Sequence, residues 1–253
     1  MDIYELVTQF YKAYKGKKAV YGKSQAGRNL YAFFVGKRAD TVGIIQCAIH
    51  GREYITAYLG LKLIEKAGHL KGGAWIIPLA NPDGVAICQK GFSNYKANAN
   101  GVDLNTNFDA NWGRGERNRF TKGQANYVGE FAFSEPESVA LRDFTLMVMP
   151  RFTISYHSKG QEIYFDFGQV GKNYARDKKI ATVIAKQTGY KIVEGLKSAG
   201  GYKDWCVDKL KISAFTIEVG KDSLSHPIER GRLGSIYKQN KKVLKRVFAI
   251  YER

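Results

Sequence analysis

Two apolar runs, 42–48 and 75–79, are flanked by polar and glycine-rich stretches and have the length of buried strands. Between them Ile55, Tyr58, Leu59, Leu61, Leu63 and Ile64 give one broad apolar face, which predicts a helix over 54–67. Strand, helix, strand in this order points to a parallel or mixed sheet covered by helices. Further on, Ser134-Glu135-Pro136-Glu137 offers a capping serine, a proline suited to a first turn and a following glutamate, so a helix is expected to about residue 149. Strands are expected at 152–156, 163–167 and 214–219, and a helix at 174–188. Leu233, Ile236, Tyr237, Val243, Leu244, Val247 and Phe248 pattern 231–251 as one closing amphipathic helix.

The stretch 81–133 breaks this rhythm. It is rich in Asn, Gly and charge and shows little periodicity, and a segment of that length inside a compact domain is expected to be functional or disordered. Asn81-Pro82-Asp83-Gly84 reads as a tight turn served by Asp83. Phe92, Tyr95, Phe120 and Tyr127 are read as packing under the long loop. No repeat or linker divides the chain, and residues 1–253 are expected to form a single mixed α/β domain.

Charge narrows the partners. Forty Lys plus Arg against 23 Asp plus Glu leave a net +17, which favours an anionic partner. The basic residues are dispersed, which equally reads as an ordinary solvated surface, and no nucleic-acid-binding motif accompanies them. No apolar run approaches the roughly 20 residues of a membrane-spanning helix. The opening Met1-Asp2-Ile3-Tyr4-Glu5-Leu6-Val7 is acidic where an export signal is basic, so the chain as given reads as cytoplasmic, with wall or spore association open for a longer parent. Three scattered cysteines form neither a disulfide framework nor a zinc pattern, and Cys47 reads as a buried small hydrophobe. Nothing in the sequence speaks to an oligomeric state.

The chemistry gathers at strand ends. His50 closes the first apolar run and Glu53 follows three positions later, so an imidazole and a carboxylate can converge at a strand-to-helix turn. His157 ends the strand at 152–156. Two histidines and a glutamate are the ligand set of a catalytic zinc with one position left open. Glu218 sits inside the apolar strand 214–219, where an unpaired carboxylate is costly and so needs a partner or a task; beside a zinc-activated water it would serve as general base. His69 and His226 are expected to be capping or surface residues.

His50-Gly51-Arg52-Glu53, Asn81-Pro82-Asp83-Gly84, Gly101-Val102-Asp103-Leu104-Asn105, His157-Ser158 and Thr216-Ile217-Glu218 together resemble the zinc carboxypeptidase A family, in order and spacing from about residue 20 onward. The resemblance implies an α/β/α domain with a mixed, predominantly eight-stranded sheet and one zinc ion in a shallow cleft. It implies His50, Glu53 and His157 as ligands and Glu218 as general base and acid. It further implies Arg52 and Asn105 as substrate-binding residues and Asp103 as the carboxylate orienting His50. Lys96 falls close to the family's carbonyl-polarising arginine.

Two departures modify the picture. Family exopeptidases follow the asparagine with an arginine that clamps the terminal carboxylate, whereas here Asn105 is followed by Thr106, which supplies neither charge nor a bidentate fork. The tyrosine that caps the substrate falls near Leu196, and Tyr202 is its candidate replacement from the same loop. Tyr95-Lys96-Ala97-Asn98, the stretch His157 to Tyr164 and Ala199-Gly200-Gly201-Tyr202-Lys203-Asp204-Trp205 resemble bacterial γ-D-glutamyl-diaminopimelate peptidases. That branch implies an anionic peptidoglycan-derived peptide as substrate, and Arg52, Lys96 and either Arg114 or Arg117 are candidate grips on its carboxylates. The competing expectations are an ordinary metallocarboxypeptidase, an amidohydrolase for small N-acyl amino acids, and a catalytically weak peptide-binding module on the same scaffold.

Overall fold

The computed structural model describes residues 2–37, 42–195 and 197–251. In chain order the elements are α1 (Ile3–Ala13), β1 (Lys18–Lys23), β2 (Asn29–Gly36), β3 (Val42–Cys47), α2 (Ile55–Glu65), β4 (Gly73–Ile77), α3 (Pro82–Gln89), α4 (Pro136–Val148), β5 (Phe152–Ser158), β6 (Glu162–Tyr164), α5 (Gly171–Thr188), β7 (Lys191–Val193), α6 (Tyr202–Asp208), β8 (Ser213–Val219), α7 (Leu233–Asn240) and α8 (Val243–Tyr251). The strands form one mixed eight-stranded sheet in the order β1-β2-β4-β3-β5-β8-β6-β7.

Its centre, β4-β3-β5-β8, is parallel. Parallel strands are covered on both faces, which is why β5 is buried along its whole length and β3 along nearly all of it. One face packs against α1, α2, α5, α7 and α8 through residues such as Val7, Leu59, Ile180, Ile236 and Phe248. The other packs against α4 and α6 through Leu141, Phe144, Tyr202 and Trp205. Because β3, β5 and β8 run the same way, their C-terminal ends open on one edge, where an α/β sheet places its crevice.

Several expectations need correction. Asn81-Pro82-Asp83-Gly84 starts α3 instead of making an isolated turn: Asn81 Oδ1 accepts the Gly84 N–H at 2.8 Å and Pro82 occupies the first turn. Asp83 is buried and serves the distant segment 26–28, accepting from Ala26 N and pairing with Arg28. Helix α4 is capped at Glu135, one residue after the expected Ser134. The C-terminal tail is two helices, broken after Asn240, whose Nδ2 donates to Tyr190 Oη and to Ile236 O. Phe92 and Phe120 are 66% and 63% exposed, so neither packs beneath the loop, whereas Tyr127 is buried as expected. All three cysteines are buried and free. Among the described residues no helix is long and apolar enough to cross a membrane.

Candidate metal centre and adjoining recess

His50, Glu53 and His157 come together, each 4% exposed or less, with donor atoms within 4.8 Å of one another. His50 leads into a tight 3-10 turn, Gly51–Glu53, that folds Glu53 back beneath it. Gly51 is required by space: a Cβ there would lie 2.4 Å from Gly84 O and 2.8 Å from Tyr95 O. His157 arrives from β5, next to β3 in the sheet. His50 Nδ1 lies 2.9 Å from Glu53 Oε1, His157 Nδ1 lies 3.0 Å from Glu53 Oε2, and the two Nδ1 atoms are 3.2 Å apart. Burial alone would raise the Glu53 carboxyl, yet the facing histidines hold it well below the usual carboxylate range.

The donor set fits zinc. Three ligands around a tetrahedral ion with bonds of about 2.0–2.1 Å stand roughly 3.3 Å apart, close to the spacings here. The far side of the His50 ring supports this use. His50 Nε2 faces Asp103 Oδ1 at 3.0 Å, which places the ring proton there and frees Nδ1 as a donor. His157 Nε2 is enclosed with no hydrogen-bond partner.

Asp103 is the hinge of a charged chain. Its Oδ1 also accepts the Asn105 N–H at 3.0 Å, and its Oδ2 pairs with Lys96 Nζ at 2.6 Å. Burial works to raise the Asp103 carboxyl, but Lys96 and His50 hold it far below its ordinary value. Lys96 also donates to Asn126 Oδ1 at 3.0 Å, so the ammonium expected to polarise a substrate carbonyl is already engaged by two side chains.

Glu218 on β8 is the register partner of His157 on β5, and of Glu162 on the antiparallel β6. Its Oε2 is enclosed without a hydrogen bond. Burial pushes its carboxyl up to about 8, with Glu53 and Glu162 adding to the rise and His157 opposing it. Tyr164 donates to Glu162 Oε2, and Glu218 and Arg117 both lie in its electrostatic surroundings. In the sequence Glu162 and Tyr164 enter only as part of a resemblance, with no role of their own.

The remaining expected residues separate. Asn105 and Thr106 line a recess of about 230 Å³ beside Asp103. Asn105 Oδ1 accepts the Tyr202 N–H at 3.1 Å and Thr106 Oγ1 donates to Asp103 O at 2.9 Å. Gly200, at φ +81°, lets its loop close on them, since a Cβ there would meet Thr106 O at 2.5 Å. Tyr202 does not join the site. It is fully buried among Phe108 and Trp205, its hydroxyl 2.8 Å from Thr145 Oγ1, because it begins α6 on the core side. Leu196, near which the capping tyrosine is expected, lies outside the described residues. Arg52 stays in the turn between the two ligands, its Nε enclosed without a partner.

His226 belongs nearer the centre than a surface residue would. Its Nδ1 is enclosed without a partner, and burial, with Arg52 and Lys159, holds its pKa down against the pull of Glu53. Ser225-His226-Pro227 reads as a plain turn, which is why the sequence offered no sign of it.

Two histidines and a glutamate at the C-terminal edge of a mixed sheet, with a buried acid across from them, define a metal-binding α/β scaffold of the carboxypeptidase kind. The chain belongs to the zinc carboxypeptidase family, whose profile matches residues 3–231. It is 29% identical over 185 residues to the γ-D-glutamyl-L-diamino acid endopeptidase 1 of Lysinibacillus sphaericus, covering 65% of this chain and 46% of that one. It is 28% identical over 209 residues to murein peptide amidase A of Escherichia coli K12, covering 78% and 79%. In fold it is similar to bovine thrombin-activatable fibrinolysis inhibitor, with a TM-score of 0.85 at 23% identity over 98% of this chain and 93% of that one. The chain spans about half the length of the first curated relatives it matches. The family implies zinc, and His50, Glu53 and His157 form a group that could hold a metal ion.

Proposed function

We propose that residues 1–253 act as one catalytic domain that hydrolyses an amide bond in peptidoglycan stem peptides, the bond between γ-D-glutamate and diaminopimelate. His50, Glu53 and His157 hold a single zinc ion. When bound, the ion supplies Lewis acidity, polarising the scissile carbonyl and lowering the pKa of water. Asp103 fixes the His50 tautomer and Lys96 fixes Asp103, so the donors are set before substrate arrives. Glu218 takes the proton from the attacking water at its carboxylate and delivers it to the leaving amine. Arg52 and the Asn105 amide flank the bound peptide.

The observation that carries the peptidase reading is the placement of Glu218 opposite His157 on adjacent strands. The substrate reading rests on Thr106, which offers no clamp for a lone C-terminal carboxylate, and on the +17 charge, which suits an anionic peptide. The names of the Lysinibacillus and Escherichia relatives agree with this chemistry. An ordinary metallocarboxypeptidase is the second reading, favoured by the match to the zinc carboxypeptidase family. Incubating zinc-loaded protein with L-Ala-γ-D-Glu-diaminopimelate and with a blocked α-linked C-terminal dipeptide separates the two. The proposal expects L-Ala-D-Glu and free diaminopimelate by mass. Cleavage of the dipeptide alone would assign the second reading.

A further inference from the structure

The recess beside Asp103 is smaller than the roughly 300 Å³ at which ligand pockets for drug-sized molecules begin, and so suits a single residue of a peptide. Its floor is Asn105 and Thr106, and its walls come from residues 115–118 of the long loop and 197–199. Gly115 lets the two walls meet, since a Cβ there would stand 3.1 Å from Ala199 N. Lys96, Arg117 and Lys197 bring positive charge to it.

Two of these cations are committed. Lys96 pairs with Asp103 at 2.6 Å, and Lys197 pairs with Glu116 at 2.9 Å. Arg117 has no ion pair or side-chain hydrogen bond among the described residues, yet it borders the same recess as Thr106. It also lies within the electrostatic surroundings of Tyr164, as Glu218 does. An arginine is suited to this place, since its planar fork can take a carboxylate through two parallel N–H···O bonds.

We propose that Arg117, carried on the long loop, is the specificity-determining residue that grips a carboxylate of the substrate residue on the C-terminal side of the scissile bond, supplying from the wall the charge that Thr106 lacks in the floor. The inference rests on the proposed peptidase reading and identifies the part of the substrate that the recess reads. It accounts for a long irregular segment, 81–133, bending back over the site. It also accounts for the loss of charge at position 106: with Arg117 above, a second guanidinium below would crowd like charge into one small recess.

The test compares L-Ala-γ-D-Glu-diaminopimelate with the same peptide whose diaminopimelate carboxylates are converted to primary amides. In the zinc-loaded enzyme, Arg117→Gln is expected to raise KM for the acid by at least about tenfold while kcat stays within about twofold, and Arg117→Lys to recover part of the loss. Calorimetric titration of Glu218→Gln protein reads binding without turnover. It is expected to prefer the acid over the amide, and Arg117→Gln added to it is expected to abolish that preference. Equal affinity of Glu218→Gln protein for acid and amide, or a preference that survives Arg117→Gln, overturns the assignment. Failure of the wild-type enzyme to cleave the γ-D-glutamyl bond, with Arg117-dependent discrimination intact, would instead count against the reaction proposed above and leave the recess as a carboxylate site.

Discussion

His157 and Glu218 face each other as register partners across the parallel pair β5 and β8. A single pleat therefore places a candidate metal ligand and an acid side by side, and the strand backbone, not a loop, sets their spacing. Glu218→Gln keeps shape and removes proton acceptance. Its turnover should fall about 10²–10⁴-fold while zinc content, measured by elemental analysis, stays at the wild-type level.

Asp103 touches His50 on one side and Lys96 on the other. Asp103→Asn removes the charge that fixes the histidine tautomer and strands a cation. Zinc affinity in a chelator competition should weaken about 10–100-fold.

Stripping the metal should also weaken the fold. Without a cation, two buried imidazoles and a carboxylate share a space that only protons can reconcile. At free zinc about 100-fold above Kd the gain is about 2.7 kcal/mol, so Tm of the apo protein should rise by roughly 5–10 °C on adding zinc. A scan in which chelator and zinc give the same Tm would contradict this.

Glu137 gives the molecule a pH-dependent stability. Burial raises its carboxyl to about 7, with Asp83 adding to the rise and the Gln25 N–H opposing it. A raised acid binds its proton more tightly in the folded state, so between pH about 4.5 and 7 its contribution falls as pH rises. The loss is on the order of 2–3 kcal/mol across that window. Glu137→Gln should flatten the corresponding part of a stability-against-pH curve measured by urea unfolding.

Tyr202 should behave as a core residue. Tyr202→Ala is expected to cost about 3–5 kcal/mol through the cavity it leaves. Tyr202→Phe gives up the hydroxyl's contacts to Thr145 and Cys206, on the order of 1 kcal/mol, with KM unchanged. A selective rise in KM for Tyr202→Phe would return the residue to the substrate.

Much of this was legible in the sequence because the central strands are buried on both faces. The run 42–48 and the acid inside 214–219 stand out against their neighbours, and His50, Glu53 and His157 fall at strand ends where geometry can unite them. The misreadings have physical causes. Asn81-Pro82 serves a turn and a helix start equally well, since a capping amide and a fixed proline φ suit both. Tyr202 sits in a motif of glycines and charges, and only the tertiary direction of α6 shows that its ring faces the core. Helical periodicity continued across the break after Asn240 because both halves bury residues against the same face of the sheet. The Glu218, Glu162 and Tyr164 grouping depends on an antiparallel register between β6 and β8, which no local spacing reveals.

The decisive measurement is anomalous diffraction at the zinc edge from crystals of the zinc-loaded protein. One full-occupancy peak bonded to Nδ1 of His50, Nδ1 of His157 and the carboxylate of Glu53, with Glu218 beside it and not bound to it, is the expected result. A peak elsewhere, or none at this position, would contradict the account at its root.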